Sequence, residues 1–228
     1  LNDVQKHFFE PRPAEELFDI ESDPYETKNL ATDPAYNETL QEMRGILTGW
    51  VKEMPDLSFF PENELVKNAF DNPVLFRQQH KQEISELVDI ADLSLLPYEE
   101  ARDRIGEALS SGDHLKRYWG LITCSCFGEE ASEYFETAKT LTRDENLLVR
   151  TRAAEFLALT GTEDPKEVIT GVLRETTDPV EANLVLNTVV LLQDGSCKYE
   201  FGITEDLFVP EVLEGGYVQR RLEYILPE

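Results

Sequence analysis

The residues able to do chemistry in this chain are few and scattered. The three histidines, His7, His80 and His114, stand far apart with no nucleophile at a fixed offset beside them. A lone imidazole of that kind predicts a surface or hydrogen-bonded residue rather than a general base. Cys124, Cys126 and Cys197 lack C-x-x-C spacing and have no clustered His to complete a zinc site. Cys124 and Cys126 fall in the apolar run Trp119–Phe127, where residues two apart on a helix point to different sides. Small buried thiols are expected there. Asp19-Ile20-Glu21-Ser22-Asp23, with Glu26 beyond, imitates the start of a calcium loop. It lacks the central Gly, and Leu30 stands where the twelfth-position Glu belongs, so it reads as a solvated acidic turn. No glycine-rich phosphate loop, H-E-x-x-H or G-x-S-x-G occurs. The expectation is no catalytic residue and no metal ligand within these residues.

Charge narrows the partners. Lys and Arg total 21 against 46 Asp and Glu, a net charge of −25. A phosphate backbone would be repelled, which disfavours nucleic acid. No run approaches about 18 consecutive apolar residues, so no membrane span is expected. Apolar residues make up 41%, enough to build a core. The chain opens on Leu1 with neither Met nor a leader, and is expected to be part of something longer.

Two textures divide the chain. Val4–Phe9 and Glu16–Ile20 are short apolar runs joined through Pro11 and Pro13, which predicts an antiparallel β-hairpin or adjacent edge strands. Asp33-Pro34 opens a helix, and Tyr36, Leu40, Met43, Leu47, Trp50, Val51 and Met54 form one apolar stripe ended by Pro55. That stripe is expected to bury against the preceding strands. The linker Asp56–Glu62 carries Phe59-Phe60, expected to be pinned to a surface.

Beyond residue 63 the chain is expected to be all helical, with starts at Asp71-Asn72-Pro73 and Pro97. Gly112–Gly128, Asp144–Gly161 and Asp178–Gly195 repeat one plan of helix start, apolar helix and glycine stop, their closing glycines 33 and 34 residues apart. Shorter amphipathic helices over 98–109, 131–141 and 165–173 precede them, and Tyr217–Leu226 closes the array. Arg117, Arg143, Arg150 and Arg152 are better explained by capping and pairing between repeats than by a basic ridge. The units resemble HEAT-like repeats, the middle one best through Asp144, Val149-Arg150 and Ala153-Ala154. Leu184 replaces an Arg in the third, so an Asp–Arg ladder is expected to break there.

Residues 12–36 carry a second resemblance. Glu16-Leu17-Phe18-Asp19, Asp23-Pro24, Glu26, Asn29-Leu30-Ala31 and Asp33-Pro34, followed by Leu40, Met43-Arg44, Leu47 and Trp50, resemble the C-terminal subdomain of type I, formylglycine-dependent sulfatases. The flavour is that of the sulfamidase-like branch acting on sulfated glycosaminoglycans. The resemblance implies a sulfuric ester hydrolase of sulfated glycans, in a periplasmic, extracellular or lysosomal setting. It also implies a formylglycine and a calcium ion in an N-terminal catalytic domain outside this chain, which would be its partner. Cys124-Ser125-Cys126-Phe127-Gly128 lacks the Pro and Arg of the formylglycine motif.

The expected fold is therefore mainly α: a small N-terminal antiparallel β-hairpin plus helix over 1–62, then an α-α superhelix of HEAT-like repeats over 63–228. Its expected role is the non-catalytic end of the hydrolase. His7 and Arg12 are the candidate substrate-binding residues, near loops that would reach the substrate cleft. The rival reading is a helical-repeat adaptor binding a protein on its concave face.

Overall fold

A computed structural model describes residues 2–10 and 12–226. The chain divides into two compact units, Leu1–Pro55 and Asp56–Glu228.

The first unit contains no strand among its described residues, so the expected hairpin is absent. Its opening run is instead a short helix, α1 (Asp3–His7). The cause is a capping box: Asn2 Oδ1 accepts from Gln5 N at 2.8 Å, and Gln5 Oε1 accepts from Asn2 N at 2.9 Å. The second run stays extended but finds a side chain where a strand was expected. Leu17 N donates to Asn29 Oδ1 at 2.9 Å, and Asn29 Nδ2 donates to Glu15 O at 3.0 Å. A backbone bond from Leu30 N to Leu17 O, 2.8 Å, completes this pairing. One amide thus satisfies backbone groups that a ladder would otherwise have to meet. Pro11, half of the expected proline link, lies outside the described residues.

A 3₁₀ turn at Pro34–Tyr36, capped by Asp33, leads into α2 (Asn37–Glu53). The capping is as the sequence indicated: Asp33 Oδ1 accepts from Ala35 N at 3.0 Å. Burial of the apolar stripe is not. No residue of α2 is buried, and Met43, Leu47, Trp50 and Met54 all keep half or more of their surface exposed. Without strands, the stripe has no sheet to lie on.

The second unit begins with the diphenylalanine linker and is held through it. Trp119 Nε1 donates to Phe59 O at 2.8 Å, the Phe59 and Trp119 rings lie 5.2 Å apart, and Phe60 is buried against Phe76. Helices α3 (Glu62–Asn68), α4 (Pro73–Gln79) and α5 (Lys81–Ala91) follow, then α6 (Tyr98–Leu109) and α7 (His114–Phe127). Next come α8 (Phe135–Leu141), α9 (Leu147–Leu159), α10 (Lys166–Glu175) and α11 (Pro179–Asp194). The short α12 (Pro210–Leu213) and α13 (Gln219–Ile225) close the unit against α11.

Two layers result. In the first, α5, α7, α9 and α11 pack side by side in order; in the second, α6, α8 and α10 cover them. Their shared core holds Leu121, Phe156, Leu157, Ile169, Leu173 and Leu186, all essentially without solvent exposure. Residues 131–134 belong to a 3₁₀ segment rather than to the helix expected over 131–141. The stretch Ser196–Thr204 is not helical, yet it buries Phe201 and Ile203 in the same core.

The glycine stops divide in kind. Gly128 and Gly161 adopt φ of 59° and 67°, the left-handed ending that favours glycine. Gly195 has φ −64°, and its constraint is space: a Cβ there would fall 2.5 Å from Leu191 O.

Candidate functional site

The two residues singled out for substrate contact sit in the first unit, on its surface, each beside a local carboxylate. His7 Nδ1 lies 2.8 Å from Glu10 Oε2, and Arg12 Nη1 lies 3.7 Å from Glu16 Oε2. The structure shows no hydrogen bond or ion pair between His7 and Arg12.

What the first unit does organise is its own fold. Asn29 Oδ1 accepts from Ala31 N as well as Leu17 N, so one side chain satisfies three backbone groups in two stretches. Leu17 and Leu30, which flank it, are the buried apolar residues of this unit among those described. Arg44 Nε donates to Glu15 Oε1 at 2.7 Å and Nη2 reaches Glu15 Oε2, a fork-on-fork pair fastening α2 to the extended segment. Glu15 and Arg44 are 29 positions apart, and no local spacing announces their pairing. The acidic turn is likewise internal. Asp23 accepts from Thr27 N and Lys28 N at 2.7 and 2.8 Å, and these bonds, that from Lys28 first, hold its carboxyl below its ordinary range. Ser22 Oγ donates to Asp19 at 2.8 Å and depresses it in the same way.

Around this small framework lies an apolar surface. Phe8 and Tyr25 are about four-fifths exposed (81% and 82%), and Ile20, Ile46, Leu47 and Trp50 each exceed half. These are many large apolar groups for a unit of this size to leave in water.

The second unit concentrates its polar groups inside. Arg117 forms a two-pronged pair with Asp144, 2.8 and 2.9 Å, with both side chains almost fully buried. Arg150 does not repeat this with Asp178. It donates to Asp144 O and to Glu175 Oε2, while Asp178 takes Lys67 at 2.7 Å. The ladder therefore stops after one rung, at the third unit. A second network crosses the first layer: Arg152 lies over the Tyr118 ring and donates to its hydroxyl at 3.0 Å. Arg152 also pairs with Glu155, which accepts from Thr188 Oγ1 at 2.6 Å. Burial opposes the charge on Arg152, but Glu155 and Tyr118 outweigh it and raise its pKa. Three of the four arginines flagged in the sequence are thus spent on bonds within this unit.

Of the two thiols expected to be buried, Cys126 is exposed instead. Cys124 is buried and its thiol is pushed up to about 12 by that burial, far from the thiolate a nucleophile needs. No helix among the described residues is long and apolar enough to cross a membrane.

Comparison with known proteins adds one relationship. Over 72 residues the chain is 42% identical to an ulvan-active sulfatase of Formosa agariphila. The stretch is 31% of this chain and 12% of that sulfatase, so this chain corresponds to a small part of its relative's length. No family model matches the chain, and no solved structure matches it. Part of the chain is accordingly related to a sulfatase.

Proposed function

We propose that residues 1–62 are the C-terminal, non-catalytic portion of a sulfuric ester hydrolase acting on sulfated glycans, and that residues 63–228 are a HEAT-like helical extension of it. The 42% identity to an ulvan-active sulfatase carries this reading. The surface of the first unit supports it. A unit in which Leu17 and Leu30 are buried and the apolar stripe of α2 stays about half exposed lacks a core sufficient for itself. Docking that stripe on the catalytic body would recover on the order of 1–2 kcal/mol per covered side chain.

In this reading the formylglycine, the calcium ion and the glycan cleft belong to the catalytic domain outside this chain. The setting is that of the family, periplasmic, extracellular or lysosomal. His7 and Arg12 are the residues of the first unit proposed to approach the substrate. A net charge of −25 repels a sulfated polyanion at long range, so contact would be local. The adaptor reading has less support, because no comparison points to it while a sulfatase relative is found.

The test is sulfate release from ulvan, and from an aryl sulfate, by the parent chain and by residues 1–228 alone. The parent is expected to turn over and the isolated chain to release nothing. Turnover by residues 1–228 alone would overturn the assignment of a non-catalytic role. An inactive parent carrying mature formylglycine would favour the adaptor.

A further inference from the structure

Helix α3 is attached to the second unit in an unusual way. Its one buried side chain is polar, Asn63, and three of its residues make bonds to the N-terminal ends of α7 and α11. Asn63 Nδ2 donates to Glu181 Oε1 at 3.4 Å, Glu64 Oε1 lies 2.6 Å from His114 Nε2, and Lys67 Nζ lies 2.7 Å from Asp178 Oδ2. The residues on either side are fastened by apolar packing instead: Phe59 on Trp119, Phe60 on Phe76 and His80, and Ala69 without exposure. A polar clasp thus sits between two anchors made by packing, in which His80, paired with Glu83 at 2.7 Å, is the titratable ring.

We propose that α3 is a pH-sensitive clasp with His114 as its sensor: protonated His114 holds Glu64 and keeps α3 seated on α7 and α11, and loss of that proton lets α3 lift while its flanks stay anchored.

The direction follows from the surroundings of each group. Glu64 raises the pKa of His114 through its hydrogen bond, burial works against this, and Asp113 adds to the rise while Arg117 subtracts. Other charges nearby are already engaged: Glu86 of α5 by Lys116, and Asp144 ahead of α9 by Arg117. A basic group raised in the fold contributes fully below its ordinary value, about 6.5, and loses that contribution as pH climbs through the raised value. Glu181, facing Asn63, Lys67, Asp178, Glu64 and Thr176, is raised by burial, while Lys67 of α3 favours its ionised form and Glu64 of α3 opposes it. Lys67 is raised by Asp178 and stays charged throughout. The direction of the switch is therefore set by His114 and Glu64.

Amide hydrogen exchange of residues 62–68 in the intact chain, corrected for intrinsic rates, tests this between about pH 5.5 and 8.5. Replacing an ion-paired by a neutral hydrogen bond predicts protection falling about fivefold across that range. His114→Gln and Glu64→Gln are expected to flatten the profile, with α7 protection reporting that the unit remains folded. His80→Gln is expected to leave the slope unchanged, which separates His114 from the histidine beside Phe60. A pH-independent wild type, or a slope that survives in His114→Gln with α7 protected, overturns the proposal.

Discussion

The two units spend their apolar residues in opposite ways. In the second, the apolar faces of α5, α7, α9 and α11 meet one another and the covering helices, and Phe156, Leu157 and Leu186 lose all contact with water. In the first, α2 carries an equally regular stripe of which no residue is buried, while Asn29, Asp23 and the Arg44–Glu15 pair hold the chain in shape. One unit is ordered by burial and the other by directional hydrogen bonds. A fold of the second kind is stable only marginally by itself, because net hydrogen-bond contributions are about 1 kcal/mol each and ordering the chain costs more than that per residue.

That contrast is open to direct attack. Phe156→Ala should be the most damaging change, costing about 3–5 kcal/mol in denaturant unfolding of the second unit. A loss under about 1 kcal/mol would mean its core is loose. Next, Asp144→Ala strands the buried Arg117 guanidinium and should cost about 3–5 kcal/mol, whereas Glu175→Ala, at the exposed end of Arg150, should cost under about 1 kcal/mol. Equal losses would erase the difference between the buried rung and its surface neighbour. In the first unit, Asn29→Ala removes three backbone bonds and should cost about 1–3 kcal/mol, read as faster proteolysis confined to residues 12–36. Smaller still, Leu47→Asp and Trp50→Ser should shift the stability of this chain by less than about 0.5 kcal/mol. In the parent enzyme the same changes should lower soluble yield if the stripe docks on the catalytic body. Last is a pH effect. Asp23 is depressed in the fold, so the turn it caps is fully supported above its ordinary value and loses that support as pH falls through the lowered one. Exchange of the Thr27 and Lys28 amides should quicken in acid, and Asp23→Asn should abolish that change.

The second unit follows its sequence closely because its signals are local and concordant. Asp113, Asn146 and Asp178 each cap a helix through a side-chain oxygen, and two of the three glycine stops turn left-handed. The Asp–Arg ladder departs from that pattern, stopping at Arg150 and Asp178, a pair of the right residue types, one step before the break expected at Leu184. The first unit reads poorly for the opposite reason. A short apolar run at Glu16–Ile20 suggests a strand but does not say what will satisfy its backbone. A single amide fourteen residues from Glu15 did so, and a capping box at Asn2 and Gln5 turned the other run into a helix. The motif Asn29-Leu30-Ala31, noticed as a resemblance, acquires its reason only here: the amide bonds and Leu30 packs.

By itself, the sequence determined the mainly helical character of the second unit and the side-chain caps that open several of its helices. These depend on periodicity and on side chains acting within a turn or two of themselves. Only the tertiary structure decided that no strand forms in the first unit, that the α2 stripe stays in water, and that α3 is clasped by His114, Asp178 and Glu181. The Asn29 pairing and the α3 clasp rest on groups 12 to 118 positions apart, and no local pattern encodes such a partner, whereas the Asn2–Gln5 capping box acts within one turn.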